Sequence, residues 1–212
     1  MRLPLCPRAP EYRSGPALRN LALSDRCMAE PRFALWPLAG AAAIVGGATG
    51  FGGKEDEVTS AIEQRLAADG IELPAAAAPA ANYVPYTIAG RLIMVAGQMP
   101  FRDGRVAVTG RLGAEVSVAQ GQEAARLCAL NLLAQAKAAC GGDLDRLGRC
   151  LKLGGFVACT TGFADHPEVV NGASDLIVKA MGGAGQHARF AVGCASLPRN
   201  AAVEVEAIFE FA

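Results

Sequence analysis

The fold is decided by the stretch HARFAVGCASLPRNAAVEVEAIFEF, which occupies residues 187–211. Its second half alternates between apolar and other side chains, the pattern of a β-strand with one buried face. The apolar row comprises Val203, Val205, Ala207, Phe209 and Phe211, and the opposite row comprises Glu204, Glu206, Ile208 and Glu210. We expect helices to cover the apolar row. Because Ile208 interrupts the acidic row, we expect a second copy of the chain to cover that face.

The first half of the stretch, residues 187–196, predicts another strand. The LPRN segment between the two strands contains a proline and an asparagine, which suit a turn. We therefore expect the two strands to be neighbours. In that arrangement Arg189, Ala191 and Gly193 lie beside the acidic row of the last strand.

Two helices are predicted upstream of this stretch. Ser117 and Gln120 form an S-x-x-Q capping box that begins a helix, and a pair of glycines at 141–142 ends it. A second helix is predicted over residues 167–181, starting at a proline and stopped by two glycines. Residues 149–160, between the helices, predict a strand.

Residues 86–90, 91–100 and 105–110 predict three more strands. The order β-β-β-α-β-α-β-β predicts an α+β fold in which a mixed sheet carries two helices on one face. Residues 54–70 predict an extra N-terminal helix, which a Pro- and Ala-rich linker follows. We divide the chain into an extension (1–53), this helix and linker (54–79) and the α+β domain (80–212).

The extension differs from the rest of the chain. Residues 33–53 carry no charge and have the minimum length of a membrane span, but a proline and six glycines make them a poor membrane helix. We expect no membrane partner, and we interpret residues 1–53 as a leader that is disordered or wrongly included. Gly47, Gly50 and Gly53 match the spacing of some dinucleotide sites, but the further strand-helix units of such a fold do not follow.

Composition excludes several classes of protein. The chain has 20 Lys and Arg against 20 Asp and Glu, which argues against nucleic acid as a partner because phosphate binding needs excess positive charge. Seven cysteines without a C-x-x-C pair lie mostly in apolar runs, which favours reduced core thiols and a cytoplasmic protein. Only His166 and His187 offer imidazole, and no ligand spacing predicts a metal.

Four segments occur in the order typical of a known family. They are ANYVPYTIAGRLIMVAGQMP (81–100), AARLCALNLLAQAKAACGGDLDRL (124–147), FADHPEVVNGASDL (163–176) and HARFAVGCASLPRNAAVEVEAI (187–208). Together they resemble the reactive-intermediate deaminases (RidA), also called the YjgF or endoribonuclease L-PSP family, which has a chorismate-mutase-like fold. The resemblance covers residues 80–212 and gives no counterpart for residues 1–53.

The resemblance implies a homotrimer with active sites between subunits. These sites would hydrolyse small enamines or imines of 2-amino acids to 2-keto acids and ammonia, without a cofactor. Arg189 would bind the substrate carboxylate, for which a planar guanidinium is suited, and Glu204 would position or activate water. The other positions that the resemblance assigns to substrate binding are Tyr86, Gly97, Gln98, Asn171 and Ala191.

The chain departs from the family pattern at two positions. Ala96 stands where the family often has serine, and Tyr83 fits the expected tyrosine spacing better than Tyr86. Two alternatives therefore stay open. One is a non-catalytic trimer that binds small carboxylates or has a regulatory role. The other, an endoribonuclease, is less favoured because residues 54–212 carry 17 acidic against 14 basic side chains and so offer RNA little positive charge. His187 could either tune the cleft or cap its strand.

Overall fold

The computed structural model describes residues 59–78 and 82–212. The extension 1–53, with its apolar run and glycine motif, lies outside the described residues, as do residues 54–58 of the predicted N-terminal helix. The described helices are α1 (Ala61–Ala67), α2 (Val118–Ala139) and α3 (His166–Met181). The described strands are β1 (Tyr86–Ala89), β2 (Leu92–Gln98), β3 (Phe101–Arg102), β4 (Arg105–Val106), β5 (Leu147–Ala158), β6 (Ala188–Cys194) and β7 (Val203–Phe211).

Five strands form one mixed sheet in the order β1-β2-β7-β5-β6. β5 and β6 are parallel, whereas the other neighbouring pairs are antiparallel. A parallel pair needs a crossover connection, and α3 provides it. The predicted mixed sheet is confirmed.

α2 and α3 cover one face of this sheet. Val203, Val205 and Phe209 of β7 are fully buried beneath them, as the alternation of β7 predicts. α3 approaches β5 closely at Gly155, where an added Cβ would lie 2.5 Å from Val170. Tight contacts of this kind fix the position of α3, and with it the side chains that α3 presents to β6.

The start of α2 follows the sequence prediction. The hydroxyl of Ser117 accepts the N–H of Gln120 at 3.3 Å, and Oε1 of Gln120 accepts the N–H of Ser117 at 2.9 Å. The predicted capping box is therefore confirmed. It satisfies two backbone donors that no earlier turn of the helix can reach.

Two strand predictions are wrong. Within residues 105–110 only Arg105–Val106 is a strand, β4, and it pairs with β3 in a separate two-stranded hairpin rather than in the main sheet. β6 and β7 are not neighbours either, because β5 lies between them and pairs with both. Alternation along a strand indicates which face is buried, but it does not indicate the pairing partner.

Within the described residues, the N-terminal helix covers only part of the predicted range. Ser60 caps α1 by accepting the N–H of Glu63 at 3.2 Å, so α1 begins at Ala61, and it ends at Ala67 rather than at residue 70. Ile62 and Leu66 bury its apolar side, and Glu63 pairs with Lys137 of α2 at 2.7 Å. Among the described helices, none is long and apolar enough to cross a membrane.

Candidate functional site

Arg189, at the start of β6, is held by neutral acceptors. Its Nη1 donates to the hydroxyl of Ser174 at 3.0 Å, and its Nη2 donates to the carbonyl oxygen of Pro167 at 3.2 Å. Both partners belong to α3. Within residues 59–78 and 82–212, no carboxylate forms a salt bridge with Arg189. The guanidinium is thus oriented but not neutralised, and three of its five N–H groups remain for a ligand.

Asn171 lies next to this guanidinium on the same face of α3. It follows Pro167 by four residues and precedes Ser174 by three, so the three residues are neighbours on the helix surface. Its Nδ2 donates to Oε2 of Glu168 at 3.2 Å. The structure therefore brings Arg189 and Asn171, two residues selected from the sequence, to one place.

Ala191 presents its backbone to the open edge of the described sheet. The carbonyl of Cys194 accepts the N–H of Cys159 of β5 at 3.1 Å. In a parallel pair alternate residues bond to the same neighbour, so the N–H and C=O of Ala191 point away from β5. These groups are positioned to bind a ligand or another chain at the edge.

Glu204 and Gly97 form a second group of selected residues. A Cβ at position 97 would overlap Oε1 of Glu204 and lie 3.0 Å from its Cδ, so the carboxylate rests against the backbone of β2. Burial raises the pKa of Glu204 above its usual value, and the neighbouring charge of Glu206 raises it further. A carboxylate with a raised pKa holds a proton more readily and is a better general base.

The other sequence-selected residues lie around β1 and β2. Gln98 follows an irregularity in the pairing of β2 with β7, and its Nε2 donates to the carbonyl of Ala96 at 3.0 Å. Tyr86 packs against the core at the start of β1. Tyr83 is 48% exposed, so its ring is the freer of the two.

The predicted position of Arg189 beside the acidic row of β7 is wrong. Arg189 pairs with Leu153 of β5, which pairs with Ala207 of β7, so Arg189 shares the helix-covered face. Glu204 points to the opposite face. Two strand spacings of about 4.8 Å and three residues of about 3.3 Å place the two Cα atoms about 14 Å apart. One small molecule cannot contact both side chains of a single chain.

Tyr86 is even farther from Arg189. Through Val95, Ala207 and Leu153, the two residues lie in one row that crosses all five strands. Four strand spacings separate their Cα atoms by about 19 Å. Tyr86 also lies on the helix-covered face, two strand spacings and three residues from Glu204, so about 14 Å separates their Cα atoms. The other candidate residues form two half-sites: one around β6 and α3 with Arg189, Asn171 and Ala191, and one around β2 and β7 with Gly97, Gln98 and Glu204.

The sheet face opposite the helices is partly apolar and uncovered in the single chain. Leu92, Met94 and Val192 are 38%, 37% and 43% exposed there. Phe156 and Phe190 meet edge to face on the same surface, with ring centroids 5.3 Å apart. This face carries Glu204 as well, so any chain that covered it would also enclose that carboxylate.

Sequence reasoning missed Ser174 altogether and left His187 between two roles. Ser174 is bonded to Arg189, and Nε2 of His187 lies 3.0 Å from the hydroxyl of Ser174. The spacing of three residues from Asn171 to Ser174 is the signal that could have found it, because residues three apart are neighbours on a helix surface. In the described part of the chain, no group of three or more His, Cys, Asp or Glu side chains could hold a metal ion.

Comparison with known proteins gives the family. The protein-family model described as "YjgF/chorismate mutase-like, putative endoribonuclease" matches residues 63–211 of this chain. A curated protein from Trypanosoma cruzi named Protein TCP17 is 52% identical over 148 residues, which cover 69% of this chain and 90% of that protein.

Two solved structures have the same fold. A protein of unknown function from Agrobacterium tumefaciens is 53% identical with a TM-score of 0.68, and the match covers 72% of this chain and 93% of that one. A structure from Shewanella oneidensis described as a putative endoribonuclease is 39% identical with a TM-score of 0.68, covering 70% and 98%. The chain therefore belongs to the YjgF/chorismate mutase-like family and has its fold.

Proposed function

We propose that the protein is a hydrolytic deaminase that converts reactive enamine or imine intermediates of 2-amino acids into 2-keto acids and ammonia. The observation that carries this proposal is the Arg189 guanidinium, which neutral oxygens orient and no described carboxylate neutralises. A cation held in this way binds a small carboxylate through charge-assisted hydrogen bonds. An imino acid supplies such a carboxylate beside an electrophilic carbon.

The chemistry needs only a positioned water and a proton carrier. Water adds to the carbon of the protonated imine while Glu204 accepts one of its protons, and a neutral carbinolamine forms. The carboxyl group returns this proton to nitrogen, and ammonia then leaves as the hydroxyl oxygen forms the C=O bond of the 2-keto acid and gives its proton to the Glu204 carboxylate. The raised pKa of Glu204 favours the first transfer, in which the carboxylate takes up a proton from water. None of these steps uses a cofactor.

We further propose a homotrimer in which each site combines the Arg189 half-site of one subunit with the Glu204 half-site of its neighbour. Two features support it. Within one chain the two side chains lie on opposite faces of the sheet, about 14 Å apart at Cα. The exposed apolar side chains beside Glu204 are suited to burial against another subunit.

The test generates 2-iminobutanoate with an amino-acid oxidase and follows the loss of the imine. Replacing Arg189 by Lys should lower kcat/KM about 10- to 100-fold, the effect of losing about 1.5–3 kcal/mol of a charge-assisted contact. Arg105→Ala is the matched control, because Arg105 is an exposed arginine on the small hairpin. Equal rates for wild type and Arg189→Ala would reject the deaminase.

Titration with 2-ketobutyrate distinguishes the second candidate function, carboxylate binding without catalysis, from the deaminase. Ala96 supplies no hydroxyl where the family often has one, which favours a trimer that binds small carboxylates without turning them over. Calorimetric binding that requires Arg189, together with the absence of imine hydrolysis, would establish this alternative. Sedimentation of the full chain measures its oligomeric state and so tests the proposed trimer. A monomer at assay concentration would contradict a site shared between subunits.

A further inference from the structure

A continuous line of hydrogen bonds runs inward from Arg189. Its Nη1 lies 3.0 Å from Oγ of Ser174, and the same oxygen lies 3.0 Å from Nε2 of His187. On the other side of the imidazole, Nδ1 lies 2.6 Å from the carbonyl oxygen of Gly185. The line therefore joins β6, α3 and the short turn between them, Gly182–Gly185.

The two ends of the line fix the direction of every bond. A carbonyl oxygen only accepts, so Nδ1 of His187 must carry a proton, and a guanidinium only donates, so the hydroxyl of Ser174 must accept from Arg189. The hydroxyl proton is then free to point at Nε2, which accepts it in the neutral imidazole. Of the two neutral tautomers of His187, only the Nδ1–H form satisfies Arg189, Ser174, His187 and Gly185 together.

This arrangement restricts a side chain that otherwise has many rotamers. Arginine loses considerable conformational freedom when it is held for a ligand. The hydroxyl of Ser174 and the carbonyl of Pro167 hold two of the five N–H groups of Arg189 before any ligand arrives. His187 in turn holds the hydroxyl, because it accepts the hydroxyl proton and leaves the lone pairs facing Arg189.

We propose that Ser174 and His187 are positioning residues that pre-orient the Arg189 guanidinium for a substrate carboxylate. The proposal rests on the proposed function, in which Arg189 binds that carboxylate. Neither residue needs to touch substrate. Their contribution is to ligand affinity, because pre-orientation lowers the entropy that binding must remove.

The first experiment measures the binding of 2-ketobutyrate by calorimetry, and imine hydrolysis in parallel. Ser174→Ala should weaken binding about 5- to 10-fold, as expected for one lost hydrogen bond that orients a charged group. KM should rise by a similar factor with kcat nearly unchanged, because the contact is made equally in the ground state and the transition state. Ser174→Thr keeps a hydroxyl and should restore binding.

His187→Asn separates the two bonds of the imidazole. Its amide can still donate to Gly185 near the position of Nδ1, but it has no atom at the position of Nε2. We expect a rise in Kd of about 2- to 5-fold, smaller than that for Ser174→Ala, since the hydroxyl is still present. Ser196→Ala removes an exposed hydroxyl in the loop after β6 and should change neither constant.

The second experiment reads the tautomer directly and does not depend on activity. The chain contains only two histidines, His166 and His187, so ¹⁵N-histidine labelling gives a simple spectrum. We expect His187 to show a protonated Nδ1 and an unprotonated Nε2. Ser174→Ala should shift the Nε2 resonance of His187 and leave His166 unchanged.

Failure of the positioning role and failure of the proposed function give different results. If Arg189→Ala weakens binding while Ser174→Ala binds as tightly as wild type, the positioning role is overturned alone. An Nε2–H tautomer at His187 would overturn it too. If Arg189→Ala itself binds as wild type does, the proposed function fails, and the positioning role fails with it. Melting temperatures identify any variant whose loss of binding reflects misfolding. If Ser174→Ala is such a variant, the affinity of Ser174→Thr and the tautomer of His187 decide whether the positioning role holds.

Discussion

Replacing Gly97 by alanine tests whether the position of the Glu204 carboxylate matters for catalysis. The new Cβ would overlap Oε1 of Glu204 and lie 3.0 Å from Cδ and 3.2 Å from Cγ. The overlapping atoms belong to the flexible end of a side chain, so we expect the carboxylate to rotate away while the backbone of β2 stays in place. Restoring ordinary contact requires a displacement of about 1 Å, and a misplacement of that size can cost about 100-fold in rate.

We therefore expect kcat for imine hydrolysis to fall about 100-fold in Gly97→Ala, equivalent to about 2.7 kcal/mol of activation free energy. The affinity for 2-ketobutyrate should change little, because Arg189 belongs to the other half-site. The free energy of unfolding should stay close to that of wild type, because alanine in a strand is more stable than glycine by about 0.5–1 kcal/mol and this offsets the cost of moving the side chain. Gly162→Ala is the matched control, because its Cβ would meet nothing within 4 Å.

The double variant makes the reasoning refutable. If Gly97→Ala acts only by displacing Glu204, it should have almost no further effect on the rate of Glu204→Gln. Full activity in Gly97→Ala alongside an inactive Glu204→Gln would show that the precise position of the carboxylate is unimportant. A large further loss in the double variant would show that Gly97 acts through something other than Glu204.

Three further predictions concern stability and thiol reactivity. Burial, and to a lesser extent the charge of Glu206, raises the pKa of the Glu204 carboxyl above 4.5. The ionised carboxylate therefore destabilises the folded state at pH 7.5. Glu204→Gln should raise the melting temperature at that pH but not below about pH 4, where the carboxyl is protonated in both states. An equal rise in melting temperature at pH 7.5 and at pH 4 would contradict the direction of this pKa shift. A Cβ at Gly172 would overlap the backbone of α2, so Gly172→Ala should destabilise by about 1–3 kcal/mol and lower the melting temperature by about 3–10 °C. An unchanged melting curve would show that the helices can separate at no cost. Burial raises the pKa of Cys150 to about 12, so iodoacetamide at pH 8 should label the half-exposed Cys159 and spare Cys150 until the protein unfolds. Mass spectrometry of the native protein checks this, and rapid labelling of Cys150 would contradict its burial.

The sequence predicts local structure well where short-range chemistry determines it. The Ser117–Gln120 capping box and the alternation along β7 each need only neighbouring residues, and both predictions are confirmed. Pairing across the sheet depends on contacts far apart in the chain. For that reason the insertion of β5 between β6 and β7 could not be predicted from the LPRN turn.

The same limit applies to the candidate site. The resemblance selects Arg189 and Glu204, but strand parity alone could not place them on opposite faces, because that placement depends on the parallel register of β5 with β6. Ser174 was missed for a related reason. Its role comes from an arginine 15 residues away, which reaches it only after the α3 crossover has formed.

The division of the candidate residues into two half-sites has a genetic consequence. Two inactive variants, one lacking the Arg189 guanidinium and one lacking the Glu204 carboxylate, could rescue each other once their subunits mix. In the proposed homotrimer each site needs Arg189 from one subunit and Glu204 from its neighbour, so random exchange between equal amounts should regenerate about a quarter of the active sites. A cell carrying both defective alleles would then retain activity that neither allele provides by itself.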